Sequence, residues 1–153
     1  MTGARVEVET TYAEIPPPTP IAAVLGLAPG ALVLKRLFRY LSDGTPHQLA
    51  TSYMPLTTAQ AAGLREDEEV PGASTMAQLA RAGQLVDHVT LHVAARMPSA
   101  DETAGLQIPP GTPVFEHHRT MFAGKRSAET TITIVPADRV SYVFNVDLTE
   151  PAQ

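Results

Sequence analysis

Cysteine is absent from these 153 residues. That excludes disulfides, thiolate zinc sites and cysteine nucleophiles, and it suits a reducing compartment. Basic residues are scarce: 11 Lys and Arg stand scattered against 16 Asp and Glu, a net charge of -5. Nucleic-acid binding draws on clustered bases that displace counterions, so this chain by itself is not expected to hold DNA. No apolar run approaches the roughly 18 to 20 residues of a spanning helix. The start, Met1-Thr2-Gly3-Ala4-Arg5-Val6-Glu7, lacks the basic and apolar regions of a signal peptide. The expectation is a cytoplasmic protein with no membrane partner. There is no Gly-rich phosphate loop, which leaves nucleotide cofactors without support, and no Gly-x-Ser-x-Gly elbow surrounds Ser52. No cofactor is expected.

Hydrophobic residues make up 44% of the chain, enough for a sizeable core, and the length suits one domain spanning 1–153. The 14 prolines and 10 glycines point to many short elements joined by defined turns. One stretch organises them. Leu25-Gly26-Leu27-Ala28-Pro29-Gly30-Ala31-Leu32-Val33 returns 81 residues later as Leu106-Gln107-Ile108-Pro109-Pro110-Gly111-Thr112-Pro113-Val114. In each copy an Ala-rich segment leads in and two β-patterned runs joined by a Gly turn lead out.

The run Val6 to Tyr12 alternates as a half-buried strand and stops before Pro16-Pro17-Pro18. Thr19-Pro20 is an expected N-cap and first turn for a helix from Ile21 to about Leu25. The residues Ala31 to Leu41 read as a strand with Arg36, Phe38 and Tyr40 on one face and Lys35, Leu37, Arg39 and Leu41 on the other. Asp43-Gly44 turns the chain into a return strand from His47 to Met54. Thr57 is expected to cap a helix through Gly63 or Leu64, and Glu66-Asp67-Glu68-Glu69 to form a solvated loop. Ser74 or Thr75 caps a helix with Met76, Leu79 and Ala80 as its apolar stripe. The second half repeats the plan. It has a strand from Val86 to Arg96, a helix opened by the capping box Ser99 and Glu102, and strands at Val114 to Phe122 and Ser127 to Val135. A closing strand is expected from Val140 to Leu148. The sum is an α+β domain on a mainly antiparallel sheet with an internal duplication.

Arg36 and Arg39 sit among large apolar residues, and a buried guanidinium needs an anion, so either can clamp a carboxylate or phosphate or pair with an acid of the chain. Glu129 is the lone carboxylate among Thr, Ile and Val. It can bond a ligand, or pair with Arg36, Arg39 or Arg119 across the sheet. His88 and His92 are four residues apart, but on a strand that is about 13 Å, and His117 and His118 face opposite ways, so no metal site is expected. Phe38, Tyr40, Tyr142 and Phe144 alternate as core residues do.

From Arg36 through Arg39, Asp43-Gly44, Pro46, Gln48 and Thr51-Ser52-Tyr53 to Pro55, the chain resembles the first hairpin of the UTRA domain. That is the effector-binding domain of GntR-type bacterial transcription regulators. The second half agrees through Ala94-Ala95-Arg96-Met97-Pro98, Pro110-Gly111, Arg119-Thr120, Glu129 and Ala137-Asp138-Arg139, and the likeness covers about residues 20 to 148. Two departures stand out: Lys125-Arg126-Ser127-Ala128 before Glu129, and Val140 where the family has an aromatic. The resemblance implies a chorismate-lyase-like fold, a homodimer, and a small-molecule effector pocket between the sheet and its helices. Position by position it implies ligand-binding roles for Arg36 or Arg39, Thr51 or Ser52, Glu129, and Tyr142 or Phe144. A complete regulator of the family carries a winged helix-turn-helix. None precedes Thr2, so DNA contact is expected only through an attached domain. A stand-alone enzyme of the same fold, acting on a small carboxylate-bearing metabolite, is the competing expectation.

Overall fold

The computed structural model describes residues 3–71 and 73–149. Met1, Thr2 and the end of the expected 1–153 span lie outside them. The elements are β1 (Val6–Ile15), α1 (Thr19–Leu25), β2 (Val33–Ser42), β3 (Thr45–Pro55), α2 (Leu56–Ala61), α3 (Thr75–Arg81), β4 (His88–Arg96), α4 (Ala100–Leu106), β5 (Val114–Ala123) and β6 (Arg126–Pro136). Short 3-10 turns occupy Glu66–Glu68 and Ala137–Arg139. The six strands form one antiparallel sheet in the order β1-β2-β3-β6-β5-β4. That order reads the same from either end, half against half, so the duplication in the sequence is a duplication in the fold.

The repeated stretch explains itself through its hydrogen bonds. Leu27 N–H reaches Ala22 O and Gly26 N–H reaches Ala23 O; in the second half Ile108 N–H reaches Thr103 O and Gln107 N–H reaches Ala104 O. These are two copies of one Schellman cap, which needs a left-handed residue after the helix. Gly26 supplies it at φ 61° and Gln107 at φ 54°. A Cβ on Gly26 would meet nothing within 4 Å. The cost of Gly26→Ala is therefore backbone conformation alone: about 1 kcal/mol, read as a melting point lower by roughly 2–4 °C. After each cap the chain turns through Pro and Gly and enters its strand at a fully buried valine, Val33 or Val114.

Both duplicated helices lie on one face of the sheet. There α1 packs Ile21 and Leu25 with Val33 and Tyr53, and α4 packs Leu106 with Ile108, Val114 and Ile134. The other face is covered by α2 and α3, where Leu34, Met54, Ala59, Leu79, Met121 and Ala128 form the core. That cover ends before β4, whose Val89, Leu91 and Val93 remain exposed.

Several expectations are corrected. Thr19 and Thr57 cap nothing: Pro18 and Pro55 hold the N-cap positions of α1 and α2, so each threonine falls inside the helix. Ser74 and the Ser99–Glu102 capping box behave as expected. In α3 the stripe narrows to Leu79, with Met76 and Ala80 exposed. The expected strand Val140 to Leu148 is not formed. Residues 140–149 join no ladder of the six-stranded sheet.

Candidate functional site

Residues directly opposite each other on antiparallel strands point to the same face, so the register alone assembles a polar row. Tyr12 opposes Arg36, Arg36 opposes Ser52, Ser52 opposes Thr131, Thr131 opposes Arg119, and Arg119 opposes Leu91. Glu129, two residues before Thr131, shares that face. The row crosses the middle of the sheet beneath α3, on the face opposite α1 and α4.

Arg36 and Glu129 are both fully buried. The Arg36 guanidinium donates through Nη1 to Glu69 Oε1 at 2.7 Å and to Gln78 Oε1 at 2.9 Å, and through Nη2 to Ser52 Oγ at 3.3 Å. Ser52 donates to Glu129 Oε1 at 3.2 Å, and Thr131 Oγ1 donates to the same oxygen. Arg119 Nη2 lies 3.5 Å from Glu129 Oε2 and 3.4 Å from Thr131 Oγ1. Tyr12 OH donates to Glu69 as well. The chain therefore reads Glu69, Arg36, Ser52, Glu129, Arg119: two carboxylates and two guanidiniums threaded by hydroxyls. The Arg36 guanidinium also lies over the Phe38 ring, 5.1 Å from its centroid.

The row is not saturated. Nε of Arg36 and Nε of Arg119 are buried without a hydrogen-bond partner among the described residues. Burial pushes the Glu129 carboxyl up, and the Arg119 and Arg36 charges and the bond from Ser52 pull it back only in part. Burial, helped by Glu69, raises the Tyr12 hydroxyl to about 12, so it stays a donor. Beside the row opens a cavity of about 310 Å³ floored by Ser52, Thr131 and Thr133, with Phe38, Arg119 and Met76 on its walls. Of the row, Ser52, Thr131 and Arg119 line this cavity, while Arg36 and Glu129 do not; a guanidinium with hydroxyls beside it suits an anionic ligand.

The raised Glu129 pKa has a sign. A carboxyl that is harder to ionise folded than unfolded contributes stability below its unfolded pKa and loses it as pH rises to the folded value. Glu129→Gln lacks that loss. The variant should therefore gain on the parent in melting temperature as pH climbs from about 4 upward, the ordinary glutamate value, and the gap should level off once Glu129 ionises in the fold. A gap independent of pH would contradict the assignment.

The expected site residues divide between the two faces. Arg36, Ser52 and Glu129 come together as described. Arg39 and Thr51 point to the opposite face and line a second cavity of about 460 Å³ with Leu49, Ile132 and Glu116. There Arg39 is part-exposed and meets the exposed Glu9 at 3.2 Å, an edge ion pair. Tyr142 packs its ring against Phe115 and His117 of β5, 5.2 and 5.6 Å between centroids. Phe144 projects into solvent, so neither it nor Tyr142 is core. Glu69 is the residue that sequence reasoning missed: expected in a solvated loop, its side chain is instead buried against Arg36. An acidic run carries no periodicity to single one member out. Thr131 was within reach, since parity puts it on the face of Glu129.

Comparison with known proteins agrees with this frame. Over 122 residues the chain is 35% identical to an uncharacterized HTH-type transcriptional regulator of Streptomyces coelicolor, covering 76% of this chain and 44% of that protein. A crystal structure described as that of a candidate GntR-family transcriptional regulator superposes with a TM-score of 0.82 at 32% identity, over 94% of this chain and 60% of the other. The chain thus spans less than two thirds of either relative. The effector domain of PhnF from Mycobacterium smegmatis shares the fold at a TM-score of 0.80 and 21% identity, over 94% and 89% of the two chains. Residues 3–141 match the model of the UTRA domain. The chain therefore belongs to the UTRA domain family of GntR-type transcriptional regulators.

Proposed function

We propose that the chain is the effector-sensing and dimerisation domain of a GntR-type regulator, and that its effector is a small anionic molecule bound over the row Arg36, Ser52, Glu129, Thr131 and Arg119. The observation that carries the reading is the buried Arg36 with its unpartnered Nε, beside a cavity floored by hydroxyls. A lone buried guanidinium is costly to keep, and a carboxylate of the chain already sits on it. Glu69, carried by the segment between α2 and α3, stands where the anionic group of a ligand would bond. An effector anion would compete with Glu69 for Arg36 and release that segment. The dimer would follow by population shift: the effector favours the arrangement of the two copies that its contacts stabilise, which alters the spacing of attached winged-helix domains. DNA is met only through those domains.

A thermal-shift screen of the chain against sugar phosphates, amino acids and aryl carboxylates tests this, with recovery of each hit afterwards. A hit recovered unchanged, with stabilisation rising with its concentration, supports a sensor. A hit consumed with turnover supports an enzyme of the same fold instead. A stabilising ligand that binds Arg36→Met as well as the parent would remove the row from the reading.

A further inference from the structure

The duplication leaves a gap on the face opposite the polar row. There α1 and α4 each cover their own half: α1 packs on Val33 and Tyr53, and α4 packs on Val114 and Ile134. Ile132 touches both clusters and Leu49 the second, while Leu37 is in neither and stays 43% exposed. In this gap opens the cavity of about 460 Å³, larger than the one beside the row. Its floor is Leu37, Leu49, Ile132 and Ile134. Small-molecule pockets have this character: about 300–1,000 Å³, mostly apolar, with a few polar groups that fix what enters.

Here those polar groups are mainly carboxylates. Glu9 stands on β1, Glu116 on β5, and Asp101 and Glu102 in the first turn of α4. Arg39 of β2 also lines the cavity and is matched by Glu9 at 3.2 Å. Arg96 lies 2.7 Å from Glu102 and 3.4 Å from Glu116, and so balances one of the two. His118 approaches Glu116 at 3.4 Å and carries a charge only when protonated. Four carboxylates against two guanidiniums leave two negative charges, one on the exposed Asp101 and one shared by Glu102 and Glu116. An acidic rim alone is a solvated surface. This one borders a recessed apolar floor, and a ligand that joins a positive charge to a hydrocarbon body satisfies both at once. The same rim repels anions, so the occupant of this cavity and the effector of the row are different molecules. The two cavities lie back to back through the same strands: Ser52 and Thr131 face one, Thr51 and Ile132 the other.

We propose that this cavity is a second ligand site and that it takes a small lipophilic amine. The ammonium sits against the carboxylates of α4 and β5, and the hydrocarbon covers Leu37, Leu49 and Ile132. The inference does not rest on the anionic-effector reading, because no residue of the row lines this cavity.

The test uses the whole chain and n-alkylammonium ions as ligands. Titrations followed by the methyl resonances of Leu49 and Ile132 read both place and affinity. From butylammonium to hexylammonium, each added methylene should tighten binding by about three- to fourfold. Hexanol and hexanoate at the same concentrations should leave these resonances in place. Asp101→Lys reverses one unmatched charge on an exposed residue, so the circular-dichroism spectrum should be unchanged while hexylammonium binds about fivefold more weakly. The milder Asp101→Asn should weaken it by about two- to threefold. Absence of a saturable shift with hexylammonium overturns the site. Hexanol binding as tightly as hexylammonium overturns the amine assignment, and an affinity that is the same in both Asp101 variants as in the parent overturns the placement. None of these results depends on whether an anionic effector is found.

Discussion

Arg36→Ala is expected to cost about 3–5 kcal/mol of stability, the loss usual when one partner of a buried ion pair is removed, and to abolish effector binding. The size follows from what is left behind. Glu69 loses the cation at 2.7 Å, and Ser52 loses a donor. The fully buried Glu129 keeps the hydroxyls of Ser52 and Thr131, but its one remaining nearby cation among the described residues is Arg119 at 3.5 Å. For a chain of this length the melting point should fall by roughly 10 °C. Arg39→Ala is the control, since its partner Glu9 is exposed and the pair lies on the other face. That change should cost under about 1 kcal/mol and leave binding intact. Denaturant melts of the two variants check the contrast, and similar losses in both would remove the special place given to Arg36.

Glu69→Ala has the second large effect, and it separates ligand chemistry from architecture. Removing the carboxylate strips Arg36 of its anion and should destabilise the chain by on the order of 3 kcal/mol. An anion from solution can then take the vacated bonds to Nη1 and, with Nε free, a further one. Phosphate or sulfate should raise the melting point of Glu69→Ala more steeply than that of the parent, because a ligand at a hundred times its Kd contributes about 2.7 kcal/mol. Both salts also stabilise proteins generally by exclusion from their surface. The readout is therefore the difference between the two chains at matched salt. Parallel salt responses would mean that Glu69 is an ordinary structural partner and no stand-in for an effector.

Local rules made much of the fold legible. The Asp43-Gly44 turn and the Ser99–Glu102 capping box depend on neighbours within a few residues, and each appears where its residues stand. Strand parity put Arg36 on one face and Arg39 on the other, and the register of β3 and β6 then aligned Ser52 and Thr131 with Arg36. Parity could not tell which face would receive a polar lid. Arg39 and Thr51 have the same chemistry as Arg36 and Ser52, and only the path of the chain between α2 and α3 decides between them. Glu69 was hidden for that reason: its partner is 33 residues away, and nothing in Glu66-Asp67-Glu68-Glu69 marks the one that turns inward. The misplacement of Tyr142 and Phe144 has a different cause. Alternation shows that a segment is fit to be a strand, but it does not supply an edge for that strand to join.

The most direct measurement is a crystal structure of the chain with the strongest ligand from the thermal-shift screen. The expected result is an anionic group within about 3 Å of the Arg36 guanidinium, with Ser52 or Thr131 also in contact and Glu69 displaced from Nη1. A ligand seated on the opposite face, over Arg39 and Leu49 with the Arg36–Glu69 pair intact, would contradict it.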